Sequence, residues 1–511
     1  MWDAIVIGSG IGGLTAAAAL AKLEKRVLVL EQHRVAGGLT QTFQRHGWTF
    51  APGVHYIGGV GPQPGADGQF GRLLAWLTDA ALQFEPSANP YDVVHVPGFE
   101  FGIPHPESAF REALNERFPN QRQAIEQWFS ACQTARGSAN ALFALHSMPT
   151  WLGWGLRLWR GAADQHWSSH TLADELAKID DIHLQAVLGG RWLNYGAPPS
   201  HAPFAEHALV TGSFNGGSYY PVGGPARFAQ TLIPVIEAAG GKVRLGTDVK
   251  RILTQTGQAC GVGFDQDGAQ AQEQAQYVIS AMGVANTVAC LDPQDAPAWQ
   301  AAVRDLGPGL ACVSLFIGFE GDIAVAGASS ANHWIFNSFD IGKLWSNPAD
   351  EDAPGIFVSF PSQKSLSSPA NSLRPTAEVV VVVDSAVFAP WLGLPDRERP
   401  AAYLALKEKI KARLLRQFLH HFPKMKEMVR FHELSTPLTQ QRYVRSPKGA
   451  MYGIEMTPER LSSPALHVRT PVPRLLLAGQ DVTSPGLAGA FMGGFMAAAT
   501  IEPTLWMRLR G

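Results

Sequence analysis

The chain commits itself within its first fourteen residues: Ala4-Ile5-Val6-Ile7-Gly8-Ser9-Gly10-Ile11-Gly12-Gly13-Leu14 reads as a short apolar strand, a glycine turn and the start of an alanine-rich helix. Gly8 permits the tight turn out of the strand, Gly10 lets backbone approach a pyrophosphate, and Gly13, next to Gly12, lets the helix pack closely on a sheet. Phosphate then meets the helix N-terminus. The next apolar strand, Arg26-Val27-Leu28-Val29-Leu30-Glu31, ends on an acid eighteen residues beyond Gly13, where a carboxylate hydrogen-bonds a ribose hydroxyl. Glycine clusters mark turns in many folds. Strand, helix, second strand and acid in register predict an α/β dinucleotide-binding unit for an adenosine ribose without a 2′-phosphate.

A second glycine signature lies at the other end. Leu475-Leu476-Leu477-Ala478-Gly479-Gln480-Asp481 precedes a small-residue segment from Pro485 to Ile501, and after Glu31 come Gln32, then Gly37-Gly38-Leu39-Thr40, a pair of glycines that can let the chain pass beside a pyrophosphate. This arrangement resembles the two-dinucleotide-binding-domain flavoproteins, which implies FAD. Carried across, the resemblance places Gln32, Gly37, Gly38, Leu39 and Thr40 beside the cofactor and Gly479 and Asp481 on its ribityl or pyrophosphate portion. Gly486, Leu487 and Ala488 then form the helix start that points at the isoalloxazine, and the backbone of Val249 contacts the adenine. The tail from Gly486 to Ala499 also reads as a tightly packed core helix, and both readings can hold.

At 511 residues with 46% hydrophobic and 16% charged content, the chain is long and apolar enough for two or more ordered subdomains. A net charge of −2 argues against nucleic acid as a partner. Cys132, Cys260, Cys290 and Cys312 are scattered, with no metal-like Cys/His cluster, and read as reduced buried thiols rather than a disulfide framework. The N-terminal apolar stretch lacks a basic flank, so it reads as the dinucleotide fold and not a signal peptide. Pro485 to Ile501 comes nearest to a membrane span but is short and glycine-rich. The default location is cytoplasmic, with peripheral contact on the inner face of a membrane as an added option.

The cofactor domain is expected in three pieces, 1–59, 216–290 and 436–511, with a substrate or lid region over 60–215 and a substrate domain over 291–435. The second piece opens at Tyr219-Tyr220-Pro221-Val222-Gly223-Gly224 and continues as a helix from Ala226 to Ala239. A strand Asp248 to Leu253 follows, then a returning strand from Tyr277 to Ala281. Cys312 to Ile317, Gly355 to Ser359 and Glu378 to Val383 are β-branched runs that predict buried strands of a mixed sheet. Tyr403, Leu406, Ile410, Leu414 and Phe418 recur at helical spacing as core. The Gln/Ala-rich stretch from Gln266 to Gln276 reads as a surface turn, and Leu306-Gly307-Pro308-Gly309-Leu310 as a turn before a strand rather than a second dinucleotide loop.

Three further stretches narrow the resemblance. Gly47-Trp48-Thr49-Phe50-Ala51-Pro52-Gly53-Val54-His55-Tyr56-Ile57-Gly58-Gly59, Ser435 to Thr439 with Tyr443 and Pro447 to Gly453, and Gly486 to Ala490 are similar to the bacterial-type phytoene desaturase, carotenoid isomerase and retinol saturase group, most of all its saturase branch. The fold this implies is a Rossmann-like FAD domain with a mixed-sheet plus helical substrate domain. The activity it implies is oxidoreduction at C=C bonds of a hydrophobic isoprenoid, retinoid or polyene. Gln480-Asp481 departs from the desaturase pattern, which favours saturation or isomerisation over desaturation. An amine or porphyrinogen oxidase, or a non-catalytic flavin-bearing lipid carrier, stays open as an alternative.

Such a reaction leaves the difficult step to the cofactor and asks the protein to exclude water, orient the chain and manage one proton. His55, Tyr56, Tyr219 and Tyr220 are the candidate proton donors, and the family match adds Lys448. Packing or capping is the plainer account of His55 and the tyrosines, and a solvated lysine that of Lys448. Electrons would come from NAD(P)H, a quinone or a redox partner. Trp151, Trp154 and Trp159, interleaved with Arg157 and Arg160, suit either a membrane interface or a lid buried against the protein.

Overall fold

Strand Trp2–Ile7 runs parallel to Val27–Leu30 on one side and Ala269–Ser280 on the other, at the centre of a seven-stranded sheet. Lys242–Arg244 extends the sheet in parallel beyond Val27–Leu30, and Leu475–Leu477 pairs in parallel with Ala269–Ser280. The C-terminal signature is thereby brought beside the N-terminal one. Trp2–Ile7, Val27–Leu30 and Leu475–Leu477 are almost wholly buried and apolar, as strands of a parallel sheet covered by helices on both sides are. The computed structural model describes residues 1–61, 68–147, 166–364 and 374–509; Trp151, Trp154 and Trp159 lie outside them.

Helix Ile11–Ala21 is buried along its whole length between this sheet, helix Arg227–Ala238 and helix Gly486–Ile501. Only small side chains allow that approach. A Cβ on Gly13 would sit 2.0 Å from Gly8 O, one on Gly12 2.8 Å from Gly479 Cα, and one on Gly494 2.0 Å from Gly12 O. The tail is therefore a packed core helix and also the neighbour of the glycine loop.

Thr247–Gln255, Gln258–Gln266 and Ala269–Ser280 form an antiparallel meander on the same sheet. This corrects the Gln266 to Gln276 reading: the turn is only Asp267-Gly268, and the Gln/Ala stretch is the outer half of a strand. Its side chains are polar because that end of the ribbon meets solvent on both faces, which hides the strand's alternation.

The second large sheet runs in the order Val429–Ser435, Ala311–Phe319, Thr376–Val383, Gly355–Ser359, Asn332–Phe336, Asp92–Val96, Phe99–Ile103. It is mixed: Asn332–Phe336 and Asp92–Val96 pair in parallel, and the other neighbours are antiparallel. Helix Ala401–His421 packs Tyr403, Ile410, Leu414 and Phe418 into one face. On the other face lies a helical layer that includes Arg122–Ser147 and Phe204–Gly212. Gly307-Pro308-Gly309, read as a turn, leads into Ala311–Phe319 as an extended segment instead: Pro308 bridges Ile454, and Gly309 N donates to Gly453 O at 2.7 Å. Cys132 and Cys312 are buried, whereas Cys260 and Cys290 are half-buried. No helix among the described residues is long and apolar enough to cross a membrane.

Within the helical layer, His207 accepts a hydrogen bond from Tyr195 Oη at Nδ1 (3.0 Å) and donates from Nε2 to Leu188 O (3.0 Å). Burial lowers its pKa to about 3. The unfolded chain takes up this proton below about pH 6.5 while the native state does not. The stability His207 contributes is therefore complete above pH 6.5 and is lost as pH falls toward 3. Denaturant unfolding of the wild type and His207→Gln at pH 6.5 and pH 5 checks this: the wild type should lose about 2 kcal/mol more than the variant over that interval.

Candidate functional site

The dinucleotide end is built from backbone. Gly8 turns out of the strand with φ +98°, and Gly10 opens helix Ile11–Ala21 with no side-chain cap and nothing within 4 Å of where its Cβ would be. Free helix N–H groups facing open space suit a pyrophosphate. Gly37 (φ +114°) and Gly38 (φ +55°) bring the second loop alongside: Gly37 bridges Gly10, and a Cβ on Gly38 would lie 3.1 Å from Gly10 Cα. Thr40 Oγ1 donates to Gly37 O at 2.8 Å and fixes this turn, while Leu39 projects toward the large cavity described below.

Glu31 is buried at the end of its strand. It accepts from Ser9 N (2.8 Å), Ser9 Oγ (2.7 Å) and His33 N (2.7 Å), and a carboxylate so held retains lone pairs for a ribose. Gln32 Nε2 donates instead to Tyr443 O at 2.8 Å. Val249 lies in the strand that starts beside Glu31, where Thr247 N donates to Glu31 O at 2.8 Å. Glu31→Ala is expected to weaken FAD binding about 10- to 100-fold, the worth of a hydrogen bond to a charged group, as measured by titration of FAD into apoprotein.

At the other end, Gly479 takes φ +96°, and Asp481 turns into the protein, where its carboxyl oxygen accepts from Val284 N at 2.9 Å. Gln480 Oε1 accepts from Gly486 N at 3.2 Å. Gly486, Leu487 and Ala488, the first turn of the C-terminal helix, form part of the wall of a cavity of about 680 Å³. Arg460, buried between these pieces, donates to the carbonyls of Ile454, Gln480 (2.6 Å) and Thr483 (3.0 Å) and ties down the approach to that helix.

The cavity is walled mainly by apolar side chains, among them Phe143, Leu209, Phe214, Trp334, Phe357 and Met492, with His55 and Tyr56 on one side. No Asp, Glu, Lys or Arg lines it among the described residues. Tyr56 stacks on Phe214 at 4.5 Å; its hydroxyl donates to Asp92 Oδ2 (3.2 Å) and accepts from Asn194 Nδ2 (2.9 Å). Burial raises the Tyr56 phenol well above its ordinary range and lifts Asp92 to about 6 against the pull of Arg191, 3.9 Å away.

His55 Nδ1 lies 3.0 Å from Glu378 Oε2 on strand Thr376–Val383, and Glu378 Oε1 accepts from Ala51 N at 2.7 Å. Behind this pair Lys364 is buried and donates to His55 O (2.6 Å), Ser359 Oγ (2.9 Å) and Asn332 Oδ1. Burial lowers its pKa to about 7, opposed by Asp92 and Glu378.

Tyr219 and Tyr220 do not line the cavity. Tyr219 pairs by backbone with Ile57, and Tyr220 is buried with its ring 6.0 Å from Lys364 Nζ, so both buttress the loop that carries His55. Lys448 is exposed on a short turn with φ +51° and is likewise absent from the cavity wall; its neighbours Met451 and Tyr452 reach the wall instead. The buried lysine next to His55 is Lys364. Sequence reading passed over Lys364, Glu378, Asp92 and Asn194. Of these only Glu378, an acid heading an unbroken valine run, left a readable signal.

Comparison with known proteins fits this geometry. Residues 11–502 match the family described as flavin containing amine oxidoreductase. The all-trans-retinol 13,14-reductase of Danio rerio is 32% identical over 98% of this chain and 86% of its own length. The prolycopene isomerase of Arabidopsis thaliana is 27% identical over 89% of this chain and 74% of its own length. The cyclohexylamine oxidase of Brevibacterium oxydans shares the fold, with a TM-score of 0.62 at 18% identity over 99% of both chains. The chain, with its glycine loop at a helix start and its apolar cavity, belongs to the flavin containing amine oxidoreductase family and is an FAD-dependent oxidoreductase.

Proposed function

We propose that the chain saturates or isomerises a C=C bond of a hydrophobic retinoid, carotenoid or related polyene. The observation that carries this reading is the cavity: about 680 Å³, mainly apolar, with the helix start Gly486-Leu487-Ala488 in its wall. Bound FAD supplies hydride exchange with carbon. Gly8 to Gly13, Glu31, Gly37 to Thr40 and the Gly486 turn would hold it, with Val249 at the adenosine end. Asp481 contributes by bracing Val284 and Ile454 rather than by reaching outward.

The protein's own part is to exclude water, hold a polyene against the helix start and exchange one proton. An amine substrate binds as a cation or must shed a proton on entry, and a wall without a carboxylate offers an ammonium no counter-charge. That favours an uncharged chain-like substrate. The names of the relatives, a retinol reductase and a prolycopene isomerase, support the same class. Saturation uses two electrons per bond, so a donor of the NAD(P)H, quinone or redox-protein type is required. Isomerisation returns what it borrows.

The test uses purified holoenzyme under argon. After photoreduction, all-trans-retinol and prolycopene are added separately; the oxidised enzyme receives cyclohexylamine. The expected result is return of flavin absorbance, or a new polyene isomer with the flavin still reduced, and no bleaching by the amine. Bleaching by the amine with both polyenes unchanged overturns the reading.

A further inference from the structure

Resting on the proposed polyene chemistry, we infer that His55 is the residue that delivers the proton to the substrate, and that Glu378 is the positioning residue that fixes the tautomer this requires. Two C–H bonds form as the π bond breaks. One alkene carbon would take the hydride, with both electrons, that bound reduced FAD supplies, and its neighbour takes a proton from Nε2 of the doubly protonated His55 ring. The alkene is reduced, the flavin is oxidised, and the imidazole is left neutral until it regains a proton from solvent.

The geometry singles out this ring. His55 lines the cavity and its side chain keeps 17% exposure, yet Nδ1 is fully buried against Glu378 Oε2 at 3.0 Å. Neither of these buried atoms has a hydrogen-bond partner, so the proton that would satisfy the contact belongs on Nδ1, and Nε2 is the nitrogen left to face the cavity. The other ionisable groups of the wall keep their protons: burial pushes the Cys312 thiol up to about 12 and raises the phenols of Tyr56 and Tyr452. Tyr56 also commits its hydroxyl hydrogen to Asp92. A histidine held by a carboxyl group at one nitrogen is the usual solution for moving a proton at the other.

Glu378 has a plainer role available, since its two carboxyl oxygens clamp Ala51 and His55 at the ends of one loop. Glu378→Gln separates the two. The introduced amide oxygen still accepts from Ala51 N, and the amide NH₂ now donates to His55 Nδ1, so the loop stays clamped while the ring is forced to carry its proton on Nε2 and cannot take a second one without an N–H against N–H clash.

The experiment compares wild type, Glu378→Gln and His55→Gln as holoenzymes whose oxidised flavin spectra and melting temperatures match. The first readout is ¹⁵N NMR of histidine-labelled protein, with His55→Gln used to assign the signal: Nδ1–H in the wild type and Nε2–H in Glu378→Gln are expected. The second is anaerobic reoxidation of the reduced flavin by all-trans-retinol, expected to slow on the order of 10²-fold in both variants while retinol affinity for the oxidised enzyme stays within about threefold. Wild-type reoxidation rates in Glu378→Gln, or a neutral wild-type ring that carries its single proton on Nε2, overturn the assignment. A wild-type flavin that retinol never reoxidises counts against the polyene reading instead, and the tautomer pair then decides the role of Glu378 by itself.

Discussion

Gly494→Ala yields a protein that no longer retains FAD. The added methyl would stand 2.0 Å from Gly12 O, an atom of the dinucleotide loop backbone with no flexible side chain to give way. Either helix Gly486–Ile501 moves off helix Ile11–Ala21 or the loop is displaced, and the cofactor depends on both. Overpacking of this kind costs about 1–3 kcal/mol where neighbours can relax. Here the clash is backbone on backbone, so a loss at the upper end or beyond is expected. Gly10→Ala is the matched control. Its Cβ meets nothing within 4 Å and its φ of −61° suits alanine, so the apoprotein should melt like wild type while FAD affinity falls, because the methyl enters the open space proposed for the pyrophosphate. Flavin-to-protein ratio and apoprotein melting temperature, measured side by side, separate the two effects.

Arg460→Leu is the second large effect. The guanidinium is 2% exposed and bonds the carbonyls of Ile454, Gln480 and Thr483, with no direct ion pair among the described residues. Burial lowers its pKa, with Asp481 and Glu206 opposing the shift, and an arginine guanidinium keeps its proton in proteins. Leucine fills part of the space but orphans three buried acceptors at about 1–3 kcal/mol each, less whatever water or relaxation recovers. A net loss of about 3–5 kcal/mol in denaturant unfolding is expected, with flavin released before the second sheet unfolds. The order of release matters because Gln480 and Thr483 lead directly into the Gly486 turn.

These two predictions concern parts of the molecule that differ in how readable they were. The glycine framework was legible because its requirement is steric and local. Gly8, Gly12 and Gly13 stand where a strand must turn and a helix must approach, and no partner far along the chain is needed to see it. The parallel strands and the Ala401–His421 helix were legible from pattern for the same reason. The cavity was not. Its wall is assembled from segments as distant as Leu39, Phe143, Leu209, Phe357 and Trp506, and pattern within one segment says nothing of which others face it. Lys448 was named through the family resemblance, and its backbone turns the side chain to solvent, as the plainer reading of a solvated lysine had it. Lys364 was invisible because its significance lies in three acceptors contributed by His55, Asn332 and Ser359. Asp481 was expected on the ribityl or pyrophosphate portion of the cofactor, yet its carboxylate accepts from Val284 N, a contact that depends on a helix start two hundred residues away in the chain.

The central claim is that reduced flavin in this site acts on a C=C bond. The most direct measurement is a single turnover of photoreduced holoenzyme with all-trans-retinol under argon, followed by mass spectrometry and chromatography of the extracted retinoid. The account predicts either one product two mass units heavier per flavin reoxidised, the mark of saturation, or a product of unchanged mass and altered retention, the mark of isomerisation. Recovery of unaltered retinol, with prolycopene equally untouched and the flavin still reduced, would contradict it.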